Sequence, residues 1–145
     1  MNYAPVTYLL AALGGALGAL ARWAVAGALP SSPGRWPWAT LLVNLTGCVL
    51  IGVLLAVLLA RFPRHPWLRP FLAVGLLGGY TTYSTFAVDV VRLGDAGAWV
   101  PAIGYLLVSV VGGAAGVLAG LAGTRATLRL QDTLLAELEA GEDQT

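Results

Sequence analysis

The chain has 145 residues, 58% of them hydrophobic and 10% charged, with a net charge of +1 and a mean hydropathy of +0.79. Soluble domains carry about 25% charged residues, so this composition excludes a water-soluble globular protein, and the near-zero charge leaves no electrostatic footprint for nucleic acid. A hydrocarbon core about 30 Å thick takes roughly 20 apolar residues per helix, and four stretches qualify, at 4–29, 38–60, 67–91 and 99–123.

The first span contains Arg22 and the small-residue pair Gly14 and Gly18. It is too long for a signal-peptide core and has no basic lead-in, so a retained helix is expected. "PSSPGRWP" stops it with turn residues. The second span has no charge; Cys48 stands there alone as a small packing residue, and Asn44 sits at its centre with Thr40 one turn before on the same face. "RFPRHP" follows, with a lone, solvated loop histidine, His65. The third span carries "GLLGGYTTYSTF" and ends near Asp89, the only acid in any span; "RLGDAGA" then leads to the fourth. There Tyr105 and Ser109 share a face, and Gly112, Gly116 and Gly120 repeat at the spacing that lets membrane helices approach closely. Trp36, Trp38, Trp67 and Trp99 fall beside span ends, at the headgroup level indoles prefer.

These features predict an all-α membrane protein with one four-helix domain over 1–124 and a polar tail over 125–145, a short amphipathic helix. Arg61, Arg64, Arg69, Arg125 and Arg129 lie on the side of both termini, against Arg35 and Arg92 on the other, which favours cytoplasmic termini. No phosphate-binding loop, nucleophile elbow or buried carboxylate pair is present, so a non-enzyme is expected.

Polar groups inside a membrane are costly unless paired, and therefore informative. Gly14 and Gly18, like the glycines of the fourth span, read as packing. Gly75, Gly78 and Gly79 read differently: each weakens a helix by about 1 kcal/mol relative to alanine, and together with Thr81, Thr82, Ser84 and Thr85 they predict a break in the third helix. Carbonyls unwound at membrane depth suit a cation, and freed N–H groups at the next half-helix favour an anion.

"GLLGGYTTYSTF" resembles the third-helix signature of the Fluc (CrcB) fluoride channels, and "GGALGALARW" and "TLLVNLTGCVLIG" resemble that family's first and second helices, in order. The resemblance covers nearly the whole chain to about residue 123 and implies a four-helix subunit paired with an inverted copy of itself, a dual-topology dimer, or with a paired homologous subunit. It implies a fluoride-selective pore lined by Asn44, Tyr83, Phe86, Thr82, Tyr105 and Ser109, with Arg22 in the vestibule. It further implies a structural sodium ion on the main-chain carbonyls of Gly78 and Thr81, and passive fluoride export across the bacterial plasma membrane that relieves fluoride toxicity. Tyr83 stands where that family usually has phenylalanine, and Tyr80 where an apolar residue is common.

Fluoride is small and strongly hydrated, so a pore needs several donors in a tight space without a strongly held charge. The absence of lysine and the placement of most arginines at span ends suit that demand. Two alternatives stand beside it. A proton-coupled small multidrug transporter is equally short but needs an embedded carboxylate, and the first span has none. A structural helical membrane protein explains the glycine stripes but not the clustered hydroxyls.

Overall fold

The computed structural model describes residues 4–32 and 34–142, and over these it contains helices and turns only. Residues 1–3, 33 and 143–145, the first and last of which belong to the expected channel domain and tail, lie outside the described residues. In chain order the elements are α1 (Ala4–Ala28), α2 (Trp38–Arg61), a π-helical stretch (Arg69–Leu77) running directly into the short α3 (Gly78–Tyr80), α4 (Tyr83–Asp95) and α5 (Trp99–Glu142). Four helical units are long and apolar enough to cross a bilayer, the third being the composite from the π-helical stretch through α4.

Glycine decides how these helices meet. In lipid there is little hydrophobic drive between apolar helices, so close backbone approach through small residues supplies the contact. α1 packs on the π-helical stretch and α3, while α2 lies along α5. A Cβ on Gly14 would strike the Phe71 carbonyl, and one on Gly18 would lie 2.7 Å from the Tyr80 nitrogen. Across the second pair, a Cβ on Gly120 would come within 3.1 Å of the Val53 nitrogen and 3.2 Å of the Val49 carbonyl carbon. Gly120→Val therefore forces α2 and α5 apart, an overpacking penalty of about 1–3 kcal/mol, and is expected to lower the thermal midpoint in detergent; an unchanged midpoint contradicts this packing.

The same contacts correct the reading of the third-span glycines. Gly75 and Gly79 face α1 as packing glycines, with a Cβ on Gly75 lying 3.0 Å from Gly14 Cα and one on Gly79 lying 2.9 Å from Gly15 Cα. Only Gly78 looks into open space, its nearest neighbour being the Ala73 carbonyl oxygen at 3.9 Å. The helix breaks just after this cluster, at Thr81 (ψ 158°) and Thr82 (φ −149°, ψ 119°), whose backbones are extended.

Two further expectations change. His65 is not merely solvated: its Nδ1 accepts from the backbone amides of Trp67 at 3.4 Å and Leu68 at 3.3 Å, covering two of the donors that open the third helix. The tail does not form a separate short helix, because α5 continues unbroken from Trp99 to Glu142, 44 residues in all. At 1.5 Å per residue that is about 66 Å, roughly twice a bilayer core. An ion pair of 2.7 Å between Arg61 and Asp132 ties its polar end to the end of α2.

One buried apolar cluster is formed by Leu41, Leu93, Ala102 and Tyr105 with Trp36 and Phe86 packed against it, and Val43, Ala56, Leu58 and Leu77 are also buried. Most other large apolar side chains, Leu13, Leu17, Val110 and Leu118 among them, face outward, as lipid-facing residues do.

Candidate functional site

The extended pair Thr81–Thr82 interrupts the i→i−4 ladder, leaving the carbonyls of residues 78–81 and the amides of residues 82–85 without their helical partners. Neighbouring side chains meet part of this demand. Asn44 of α2 clamps both backbone groups of Thr82: Nδ2 donates to the Thr82 carbonyl at 2.9 Å, and Oδ1 accepts from the Thr82 amide at 2.8 Å. Thr82 Oγ1 accepts from the Thr85 amide at 3.2 Å and caps α4. Arg22 of α1 donates through Nε to the Gly79 carbonyl at 3.2 Å. Thr46 of α2 and the Tyr80 hydroxyl meet at 3.0 Å.

The diverted amides define which oxygens stay free. In an unbroken helix the Thr82 amide would bond the Gly78 carbonyl and the Thr85 amide the Thr81 carbonyl; they bond Asn44 and Thr82 Oγ1 instead. Among the described residues no hydrogen bond reaches the carbonyls of Gly78 and Thr81. These neutral oxygens are the donor type that hard cations prefer.

An open-sided groove of about 490 Å³ runs along this break and brings together Asn44, Gly78, Thr81, Thr82, Tyr83, Phe86 and Ser109. Asn44 retains one amide hydrogen beyond the one given to Thr82. Tyr83 and Phe86 share a face as their spacing predicts, with ring centroids 5.9 Å apart, and Tyr83 is 81% exposed. Tyr105, expected at the pore, and Arg22, expected in the vestibule, do not line this groove. Tyr105 is completely buried behind Phe86, with ring centroids 5.5 Å apart. Arg22 lies across the break, in a separate cavity of about 250 Å³ reaching Thr40, Thr82 and Thr85. Thr82 lines both spaces and separates them.

Three buried polar atoms find no partner among the described residues: Tyr105 Oη, Ser109 Oγ and Asp89 Oδ2. Asp89, 6% exposed, lines a third cavity of about 360 Å³ with Arg35, Arg92 and Asp95. From the sequence Asp89 is only an acid near a span end; a carboxylate at that depth is the signal that marks it. The Thr46–Tyr80 contact had no such signal, since Thr46 is one hydroxyl among apolar neighbours.

Four spans, one of them a helix whose unwound centre is held by side chains of its neighbours, define a polytopic membrane protein of the channel or transporter class, since irregular backbone at membrane depth is kept only where it lines a cavity or is buried in protein. Residues 9–121 match the family described as CrcB-like protein, Camphor Resistance (CrcB), and the chain belongs to that family. It is 45% identical over 121 residues to "Fluoride-specific ion channel FluC 2" of Nocardia farcinica (strain IFM 10152), covering 83% of this chain and 86% of that protein. It is 48% identical over 122 residues to "Fluoride-specific ion channel FluC" of Bordetella petrii (strain ATCC BAA-461 / DSM 12804 / CCUG 43448), covering 84% and 94%. A third relative, "Fluoride-specific ion channel FluC" of Paracoccus denitrificans (strain Pd 1222), is 49% identical over 118 residues, covering 79% and 91%.

Proposed function

We propose that the chain is a subunit of a fluoride-selective ion channel, a multi-pass protein of the bacterial plasma membrane that lets fluoride leave passively and so relieves its toxicity. The observation that carries this reading is the third-helix break, pinned by Asn44 on Thr82 beside the paired rings of Tyr83 and Phe86. The names of the relatives agree with it. Fluoride loses water only where other donors replace it, and the groove offers the spare Asn44 hydrogen, the Ser109 hydroxyl and positive aromatic ring edges, none of them fully charged. Ser109 Oγ and the Tyr105 hydroxyl are buried without a close hydrogen-bond partner among the described residues, which suits a polar wall beside that path.

The working unit in this reading is a pair of subunits, the second inverted. Free carbonyls and extended backbone cannot face hydrocarbon, yet Gly78 is exposed on the open side of the groove. A second copy covering that side would shelter them. The released carbonyls of Gly78 and Thr81 fit a sodium ion shared between copies. Among the described residues no group of three His, Cys, Asp or Glu side chains could hold a metal, so such a site rests on main-chain oxygens. Bound there, the ion would add positive potential near the anion's path.

Phe86→Ile removes a positive ring edge while keeping an apolar side chain, and is expected to cut fluoride efflux from reconstituted vesicles about tenfold or more; normal flux in a folded variant removes the ring from the path. In bacteria stripped of fluoride export, expression of this chain is expected to restore growth in fluoride medium. Membrane-inserted protein without rescue contradicts the proposed function.

A further inference from the structure

Arg22 is half-buried in a membrane-spanning helix and forms no ion pair among the described residues. Its hydrogen bond instead goes to backbone, from Nε to the Gly79 carbonyl, across 57 positions of sequence. That carbonyl is one the break deprives of an amide, since the Tyr83 N–H that an unbroken helix would supply has turned away with α4. The end of a half-helix carries unpaired carbonyls and partial negative charge, which a cationic donor stabilises. Arg22 thus closes the first half of the third helix from α1, as Asn44 opens the second half from α2.

We propose that Arg22 is a positioning residue, whose Nε–H fixes the Gly79 carbonyl and with it the end of the first half-helix, leaving the neighbouring carbonyls of Gly78 and Thr81 released toward the groove. Its work in this arrangement is done by a directed N–H, and not by a free charge that draws anions into a vestibule. The inference rests on the channel reading above, because its consequence is measured as flux.

Side-chain topology separates the two roles. Counting outward from Cα, the nitrogen Nε of arginine occupies the same place as Nε2 of glutamine, whereas lysine has a methylene there and its charge one atom further on. Arg22→Gln therefore keeps an N–H for Gly79 and loses the charge; Arg22→Lys keeps the charge and loses the N–H at that place; Arg22→Met keeps neither. With each full-length variant reconstituted from monodisperse protein, Arg22→Gln is expected to retain fluoride efflux within about threefold of the parent, and Arg22→Lys and Arg22→Met to fall about tenfold or more. A second readout is the dependence of efflux on ionic strength, which should be the same for Arg22→Gln and the parent, because screening acts on attraction by charge and not on a buried hydrogen bond.

Should Arg22→Met fail to assemble, the Gln and Lys variants still decide. A fast Lys variant with a slow Gln variant, three variants alike, or a flattened salt dependence in Arg22→Gln overturns the positioning role. A parent protein without efflux overturns the channel reading itself, and that failure is distinguishable because it precedes any comparison of variants.

Discussion

In reconstituted vesicles Asn44→Asp is expected to lower fluoride efflux by about three orders of magnitude while the protein still assembles. Two effects act together. The aspartate keeps an oxygen for the Thr82 amide, 2.8 Å away, but replaces the donor facing the Thr82 carbonyl, 2.9 Å away, with a second oxygen. Losing that bond in a part-buried site costs about 1–3 kcal/mol, enough to loosen the break but not to prevent insertion of four long apolar spans. The new negative charge also stands in the groove. A unit charge about 4 Å from an anion at an effective dielectric constant of about 20 raises its energy by about 4 kcal/mol, which at 1.4 kcal/mol per decade is the stated loss. Undiminished efflux from assembled Asn44→Asp protein would take Asn44 out of the ion's path and leave it only the clamp.

Gly79→Val has the largest expected effect on assembly. Its Cβ would lie 2.9 Å from Gly15 Cα and 3.0 Å from the Gly15 carbonyl carbon. Those are backbone atoms of a packed helix, so no side chain can swing aside; the third helix must leave α1 and take the Arg22–Gly79 contact with it. The penalty exceeds the usual overpacking cost of about 1–3 kcal/mol, and the variant is expected to yield little monodisperse protein. Gly78→Ala is the control on the adjacent residue. Its Cβ meets nothing closer than 3.9 Å within the subunit, so the fold should survive. A stable, monodisperse Gly79→Val protein contradicts the described α1 packing.

Much of this fold is legible in the sequence because the bilayer imposes a length and an apolar composition on every span. The second span, expected over 38–60, is the helix Trp38–Arg61, and the first, expected over 4–29, is Ala4–Ala28. The glycine cluster of the third span was harder to read, since the same residue serves two physical ends. It weakens a helix, and it lets another backbone come close; composition alone does not say which. Gly75 and Gly79 do the second, and the break falls on the two threonines that follow. Nor does spacing reveal that Arg22 and Asn44 grip backbone, because hydrogen bonds across 57 and 38 positions leave no local periodicity. The continuation of α5 has a simpler reason: Gly123 and Thr124 are only mild breakers, and no proline follows to stop the helix. The bonds of His65 to the Trp67 and Leu68 amides are not legible either, because a capping histidine carries the same local pattern as a solvated one.

The most direct measurement is fluoride release from vesicles loaded with fluoride and containing only the purified, assembled protein, followed with a fluoride electrode after the charge imbalance is relieved by a potassium ionophore. Release far faster than from protein-free vesicles, with chloride retained in a parallel chloride-loaded sample, is the predicted result. Fluoride held as tightly as in empty vesicles, or chloride released at the same rate, would contradict it.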